Sequence, residues 1–473
     1  MKSKRSQKRS LTSSSAFFMF SFMSSRRHFL RQSATVTLGF SGLRHFSLAR
    51  SEGKNRLLVH GYGPLRPDPD KVVDLPEGFS YRIIGRAGEV MNDGLVLPAL
   101  PDGMAAFPGP DGLVLLLRNH EVNSNAKNRQ GPFGQGNKML TPAIRPKLFD
   151  LGRKGEDPAR GGVTTVVYDP KKQKVVRQFL SLGGTLRNCA GGPTPRNSWI
   201  TCEETVEKAD DQLAQDHGWC FETPATTEPK LHQAVPLKDM GRFNHEAIAE
   251  DPATGYVYET EDRGDGLLYR FLPHKPGKLQ EGGKLEALVA ADQPGLDTRN
   301  WDKRRINVGQ NLQVKWLEVE EVHAPKDDLR HRGHAAGAAR FARGEGAWLG
   351  EDGIYFACTN GGAKHFGQVW KLAGDQLQLF AEPNDANVID NCDNLTVAPS
   401  GDLVLCEDGA GEQRLVMVTP KGKFFTFARN AAGNSELAGA TFSPDGSILF
   451  VNIQKNGLTL AITGPWEKVV REA

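Results

Sequence analysis

The chain has 473 residues, with 59 Lys+Arg against 56 Asp+Glu, a formal net charge of +3, 38% hydrophobic and 24% charged residues. This composition is globular. It excludes a polytopic membrane protein and a wholly disordered chain, and part of the basic excess sits in the first fifty residues, so the body is no general nucleic-acid binder. Glycine stands at 52 and proline at 28 with no three-residue period, which excludes collagen and points to many tight turns, as in an all-β protein.

Residues 1–50 read as an address. Ser25-Arg26-Arg27-His28-Phe29-Leu30-Arg31 precedes a weakly apolar run from Ala34 to Leu43. An arginine pair with Phe-Leu behind it resembles a twin-arginine export signal, and the apolar run is too short for a stable membrane span. The expectation is handling by the twin-arginine export machinery, cleavage near Ser47-Leu48-Ala49, and a periplasmic or secreted product. Met23 lies just before the motif, so residues 1–22 are read as the product of a misplaced start codon. Such export carries folded proteins, often already loaded with a cofactor. An oxidising destination would permit disulfides among Cys189, Cys202, Cys220, Cys358, Cys392 and Cys406. No C-x-x-C pair occurs, which argues against a zinc ribbon or thioredoxin-type site.

Residues 51–473 are read as a single domain, because one pattern repeats through them. A short strand, a Pro/Gly/Asp turn, an apolar strand and a polar end recur from Pro101 to Glu121, Asn188 to Glu204, Asn244 to Asp262, His334 to Asn360, Asn391 to Asp408 and Ser435 to Asn452. Each copy reads as a β-hairpin. Further strand pairs lie between copies, such as Val163–Tyr168 with Val175–Leu180 and Gln368–Leu372 with Gln376–Phe380. Four strands per unit predict a six-bladed β-propeller. Residues 122–160, 205–240 and 290–333 read as inserted loops, with a short helix possible over Thr205–Gln215.

In a propeller the first hairpin of each blade lies nearest the central channel. Polar groups at equivalent points of the copies therefore converge. After the second strand these are His120 and Glu121, Glu203 and Glu204, Glu261 and Asp262, Asn360, and Glu407 and Asp408. At the start of the first strand they are Cys189, His245 and Glu246, Asp393 and Asn394, and Glu436. So many carboxylates cannot all stay ionised around one channel without cations. Oxygen ligands suit Ca²⁺, whereas a thiolate or imidazole favours a transition metal. Cys202, Cys358 and Cys406 lie inside apolar strands and read as buried small hydrophobes. His217, His232 and His274 fall in polar loops and read as surface residues. No G-x-x-x-x-G-K-[ST], G-x-S-x-G or H-E-x-x-H motif is present, which argues against P-loop NTPases, α/β-hydrolases and zincins.

Gly184-Thr185, Asn188-Cys189-Ala190-Gly191-Gly192-x-Thr194-Pro195, Trp199-x-Thr201-Cys202-Glu203-Glu204, Asp393-Asn394-Leu395-Thr396-Val397, Cys406-Glu407-Asp408-Gly409 and Gly464-Pro465-Trp466 occur in this order. Over residues 65–467 the chain resembles the PhoX-type alkaline phosphatases. The resemblance implies a six-bladed propeller holding Fe³⁺ and Ca²⁺ in its channel. It also implies cleavage of small phosphate monoesters by attack of a metal-activated oxygen on a metal-held phosphate. Cys189 would be an iron-bridging thiolate, and Glu204 and Glu246 ligands of the cluster, with Glu121, Asp262, Asp393 and Glu407 as further metal ligands. Where the family carries Arg-Pro-Glu this chain has Asn244-His245-Glu246. The phosphate clamp would then come from Arg242, Arg187 or Arg118, or from His245 acting in catalysis. Two other readings of the same residues are a calcium-dependent propeller hydrolase such as a lactonase, and a non-catalytic ligand-binding propeller.

Overall fold

Runs of aliphatic and β-branched residues broken by Gly, Pro and Asp form strands of two to twelve residues. In a computed structural model that describes residues 57–125 and 130–471, these strands build an all-β, propeller-like fold. The export signal expected over residues 1–50 lies outside the described residues. Val114–His120 is buried at every position, so this strand sits inside a sheet covered on both faces. It pairs with Pro101–Pro108 across a turn in which Asp111 and Gly112 both take left-handed backbone angles (φ 56° and 77°). Aspartate and glycine tolerate that region better than most residues.

The strands pair into five sheets. Two have four strands: Pro101–Pro108 through Lys174–Thr185, and Leu437–Phe442, Ile448–Ile453 and Leu458–Thr463 completed by the early strand Ser80–Arg86. That last pairing joins the two ends of the described chain and closes the ring with backbone hydrogen bonds. Another sheet has three strands, Asn188–Thr194, Ser198–Glu203 and Cys220–Pro224. The sheet begun by Cys392–Val397 has six strands, because Val73–Pro76 and Leu65–Arg66 add to its outer edge.

The expected count of six separate four-stranded sheets is corrected by the fifth sheet, which has nine strands. It consists of one meander from His245–Glu250 to Asn311–Glu318 and another from Gly344–Gly350 to Gln376–Ala381. Three residue pairs between Asn311–Gln313 and Gln376–Gln378 join them at their outer strands. Two loop expectations are corrected as well. Residues 205–240 contain the strand Cys220–Pro224 and no helix over Thr205–Gln215, and residues 290–333 contain the strand Asn311–Glu318. The fourth repeat starts at Gly344 rather than His334, which ends the only α-helix among the described residues but for Ala335, Leu329–Ala335.

The six inner strands form a closed circuit. Pro101–Pro108 packs beside Asn188–Thr194, then in turn come His245–Glu250, Gly344–Gly350, Cys392–Val397 and Leu437–Phe442, which returns to Pro101–Pro108. One residue from each, Gly103, Ala190, Ala247, Gly346, Asn394 and Gly439, lines a single narrow axial cavity. Small residues are needed there because the strands converge: a Cβ on Gly346 would lie 2.4 Å from Leu395 N, and one on Gly439 2.2 Å from Asp102 O. No helix among the described residues is long and apolar enough to cross a membrane. Gly346→Val should force the neighbouring inner strand outward and cost about 1–3 kcal/mol or more, read as a lower denaturation midpoint. An unchanged midpoint would mean that the strands do not converge as described.

Candidate metal centre

Five inner strands begin with the same irregularity. The ladder starts at Pro101, Asn188, His245, Gly344 and Cys392, then skips to a residue three positions on. Such bulges bend a strand and re-aim a side chain. The residue after each ladder start is Asp102, Cys189, Glu246, Glu345 or Asp393. On the partner strands the alternation of side chains sets the next group. Glu121, Glu204, Asp262 and Asp408 turn to the axis, whereas their neighbours His120, Glu203, Glu261 and Glu407 are buried in the blades.

The axial groups meet. In each of four trios, Asp102–Glu121–Cys189, Cys189–Glu204–Glu246, Glu246–Glu345–Asp393 and Asp393–Asp408–Glu436, one ligand atom per residue lies within 4.8 Å of the other two. Cys189, Glu246 and Asp393 are shared corners, so the trios are continuous. Two arginines sit at the rim. Arg187 donates from Nε to Glu121 (3.0 Å) and from Nη2 to Glu121 (2.8 Å) and Glu204. Arg343 donates from Nε and Nη2 to Asp262 (2.7 and 2.8 Å) and from Nη2 to Glu345 (3.0 Å). Gln454 bridges Asp102 and Glu121 at 2.7 and 2.9 Å.

Burial and mutual repulsion hold Asp102, Glu204, Glu246, Glu345, Asp393 and Glu436 above the ordinary carboxylate range. Burial acts first on Asp102, reinforced by Glu121 and Asp393. Burial followed by neighbouring carboxylates raises Glu246 and Glu345. Asp393 is pushed up to about 7 and Glu436 to about 10 in the same way. Glu204 is also raised, burial outweighing its pairing with Arg187. The Cys189 thiol is raised by burial and by the surrounding acids. Both Glu246 oxygens and Asp102 Oδ1 are buried without a hydrogen-bond partner. Buried, unpartnered, mutually repelling oxygens beside one thiol fit bound cations, and the shared corners fit more than one ion.

The structure therefore brings together Cys189, Glu121, Glu204, Glu246, Asp262 and Asp393 of the expected residues. Others are placed elsewhere. Glu407 is bonded to Arg414 Nε and Nη2 (2.7 and 2.6 Å) and Asp390 N (2.7 Å), so it anchors a loop. His245 points to the opposite strand face from Glu246, towards Cys220 and Glu259. Arg242 is buried and donates only to backbone carbonyls, those of His217, Val206, Glu207 and Ala324. It has no donor to offer a phosphate in the axial site. Arg118 is likewise buried, bonded to Thr164, Thr459 and Gln178. His217 is no surface residue: it is buried between Glu203 (2.7 Å) and Asp150 (3.1 Å). Burial opposes its charge, but these carboxylates push it up to about 10.

Asp102, Glu345 and Arg343 were not anticipated. A signal existed: each inward residue is followed by a small or short one, as in Asp102-Gly103, Cys189-Ala190, Glu246-Ala247, Glu345-Gly346 and Asp393-Asn394. An arginine that does reach the axial acids stands one meander later, in Arg343-Gly344-Glu345.

The sequence profile of alkaline phosphatase PhoX matches residues 60–457. The chain belongs to that family. Among solved structures, Pseudomonas fluorescens PhoX in complex with vanadate, a transition state analogue, is 19% identical, with 86% of this chain and 98% of that one covered at a TM-score of 0.62. A Xanthomonas campestris gluconolactonase is 11% identical over 85% of this chain and 98% of its own, at a TM-score of 0.40. No curated protein matches the sequence significantly.

The raised acids set the sign of a pH effect in metal-free PhoX-family protein of this sequence. From about pH 4, the ordinary carboxylate value, up to Asp393 at about 7 and Glu436 at about 10, the folded state binds more protons than the unfolded state. Stability therefore falls as pH rises through that window. In EDTA the melting temperature should be lower at pH 9 than at pH 5.5, and Ca²⁺ should flatten the slope. A melting temperature that rises with pH in EDTA would contradict the crowding of these acids.

Proposed function

We propose that the chain is a metal-dependent phosphatase that hydrolyses small phosphate monoesters at a cluster of Ca²⁺ and Fe³⁺ ions in the throat of a six-bladed propeller. The observation that carries this reading is the continuous set of carboxylates around one thiol, flanked by two arginines, in a member of the PhoX family. The blade count treats the nine-stranded sheet as two blades joined at their rims, supported by the circuit of six inner strands.

Asp102, Glu121, Glu204, Glu246, Asp262, Glu345, Asp393, Asp408 and Glu436 would hold the hard ions, and the Cys189 thiolate would select iron. Bound there, the ions supply positive charge for the phosphoryl oxygens and activation of the attacking oxygen. The chain's own contribution is orientation and charge. Arg187 and Arg343 are each fixed by two carboxylates, and their Nη1 groups make no hydrogen bond among the described residues. Those N–H donors are available to phosphoryl oxygens, where charge-assisted bonds are strongest. With side chains 32% and 36% exposed, both are reachable from solvent. The acids that bind them keep the guanidinium planes from swinging away, so a phosphate meets donors already in place.

The twin-arginine motif supports export to the periplasm or beyond, with loading of the cluster beforehand. A calcium-only lactonase-type hydrolase or a non-catalytic binder would leave the thiol at the shared corner of two trios without a role.

Protein loaded with iron and calcium should hydrolyse an aryl phosphate, lose the activity in EDTA and be inhibited by vanadate. Cys189→Ser should remove iron while calcium remains, and calcium without iron in the wild type would favour the lactonase-type reading. Arg343→Ala should lower kcat/KM by roughly 10²-fold. No turnover by fully metallated protein would discard the phosphatase reading.

A further inference from the structure

His245 leaves the throat, and the side chains that it meets have no other evident task. Strand alternation turns it away from Glu246 and into the space between two sheets. There its Nδ1 lies 3.3 Å from Cys220 Sγ and 3.3 Å from Glu259 Oε2. The ligand atoms of Cys220, His245 and Glu259 are all within 4.8 Å of one another. Cys202 stands opposite Cys220 in the antiparallel pair, with the two Sγ atoms 3.6 Å apart. All four residues are fully buried.

We propose that Cys220, His245 and Glu259, with Cys202 packed against Cys220, form a second metal site, separate from the throat, for one borderline-soft divalent ion of the Zn²⁺ class. Three observations support it. First, both oxygens of Glu259 are buried without a hydrogen-bond partner, which is costly unless a cation or donor completes them. Second, His245 Nε2 is 3.0 Å from Gly241 O, and Phe243 stacks on the ring at 3.6 Å between centroids. The carbonyl accepts a hydrogen bond from Nε2–H, so Nδ1 presents its lone pair to the cluster, the usual arrangement behind a metal-binding imidazole. Third, the spacings suit a tetrahedral ion. Zn–S of about 2.3 Å and Zn–N or Zn–O of about 2.0–2.1 Å give edges of about 3.5 Å from sulfur to nitrogen and about 3.3 Å from nitrogen to oxygen, against 3.3 Å for both here.

Charge also balances. The Cys220 thiolate, the Glu259 carboxylate and neutral imidazole around a divalent ion form a neutral buried set, and the Cys202 thiol stays protonated beside Cys220 Sγ, 3.6 Å away. A Cys202–Cys220 disulfide is the rival arrangement. It would satisfy the sulfurs and leave a protonated Glu259 carboxyl to donate to His245 Nδ1, 3.3 Å away, across a long hydrogen bond. Every ligand lies on a strand or at its end, so the site is rigid. Its burial means that the ion enters during folding.

The test is metal analysis of the full-length protein, produced with zinc supplementation and treated briefly with EDTA to strip exchangeable ions. About one zinc per chain should survive. Cys220→Ala and the isosteric Glu259→Gln should reduce it at least tenfold, whereas Glu246→Gln, in the throat, should retain it. Protein grown with Co²⁺ should show the visible bands of a tetrahedral ion and a thiolate charge-transfer band, both lost in folded Cys220→Ala. A wild-type mass short by the two hydrogens of a Cys202–Cys220 disulfide would overturn the proposal. So would folded protein with free thiols and no zinc, or zinc unchanged in both variants.

Discussion

Like charges crowded on a closed axis are the constraint around which this molecule is organised. The inner strands meet in a circuit that is sealed by backbone bonds between Ser80–Arg86 and Leu458–Thr463, so no strand can swing out to relieve repulsion. Two ionised carboxylates 4.8 Å apart repel by about 3 kcal/mol at an effective dielectric constant of 20. Arg187 and Arg343 offset part of this, but they are two charges among nine acids. The remaining acids must either keep protons or share cations. The same crowding that strains the metal-free protein would be relieved by bound cations.

Period-two alternation lets one short sequence serve two purposes. Glu204 faces the axis, while Glu203 accepts bonds from His217, Gly218 N, Trp219 N and Leu186 N. Asp262 faces the axis, while Glu261 accepts bonds from Leu267 N and Tyr269. Asp408 and Glu407 divide in the same way, Glu407 pinning Arg414. In each pair the inner residue faces the axis while the outer one fixes the loop behind it. His245 and Glu246 extend the principle, since the outward member belongs to a second buried cluster.

Much of this was legible in residue order. The hairpins beginning at Pro101, Asn188, Asn244, Asn391 and Ser435 lie where the repeat places them, because strand–turn–strand patterns are local. The fourth was displaced because His334-Ala335-Ala336-Gly337 imitates a small, polar strand start, whereas Leu329–Ala335 is helical. That displacement concealed Glu345 and Arg343. Asp102 was concealed because Pro101 and Gly103 are poor strand formers, although they lie in a strand. His217 was misplaced because its polar neighbours suggest solvent, while its partners Asp150 and Glu203 are remote or on another strand.

Residue order alone determined the all-β class, the repeated hairpins, the wealth of acids at their ends and the kinship with PhoX-type phosphatases. These depend on composition and short-range pattern. Only the tertiary structure decided which member of each acidic pair faces the axis, that Arg343 rather than Arg242 stands beside the acids, and that Cys202, Cys220, His245 and Glu259 share one pocket. A bulge shifts a side chain from one face of a strand to the other by a single residue, and ring closure joins positions hundreds of residues apart. Neither leaves a local trace in the chain.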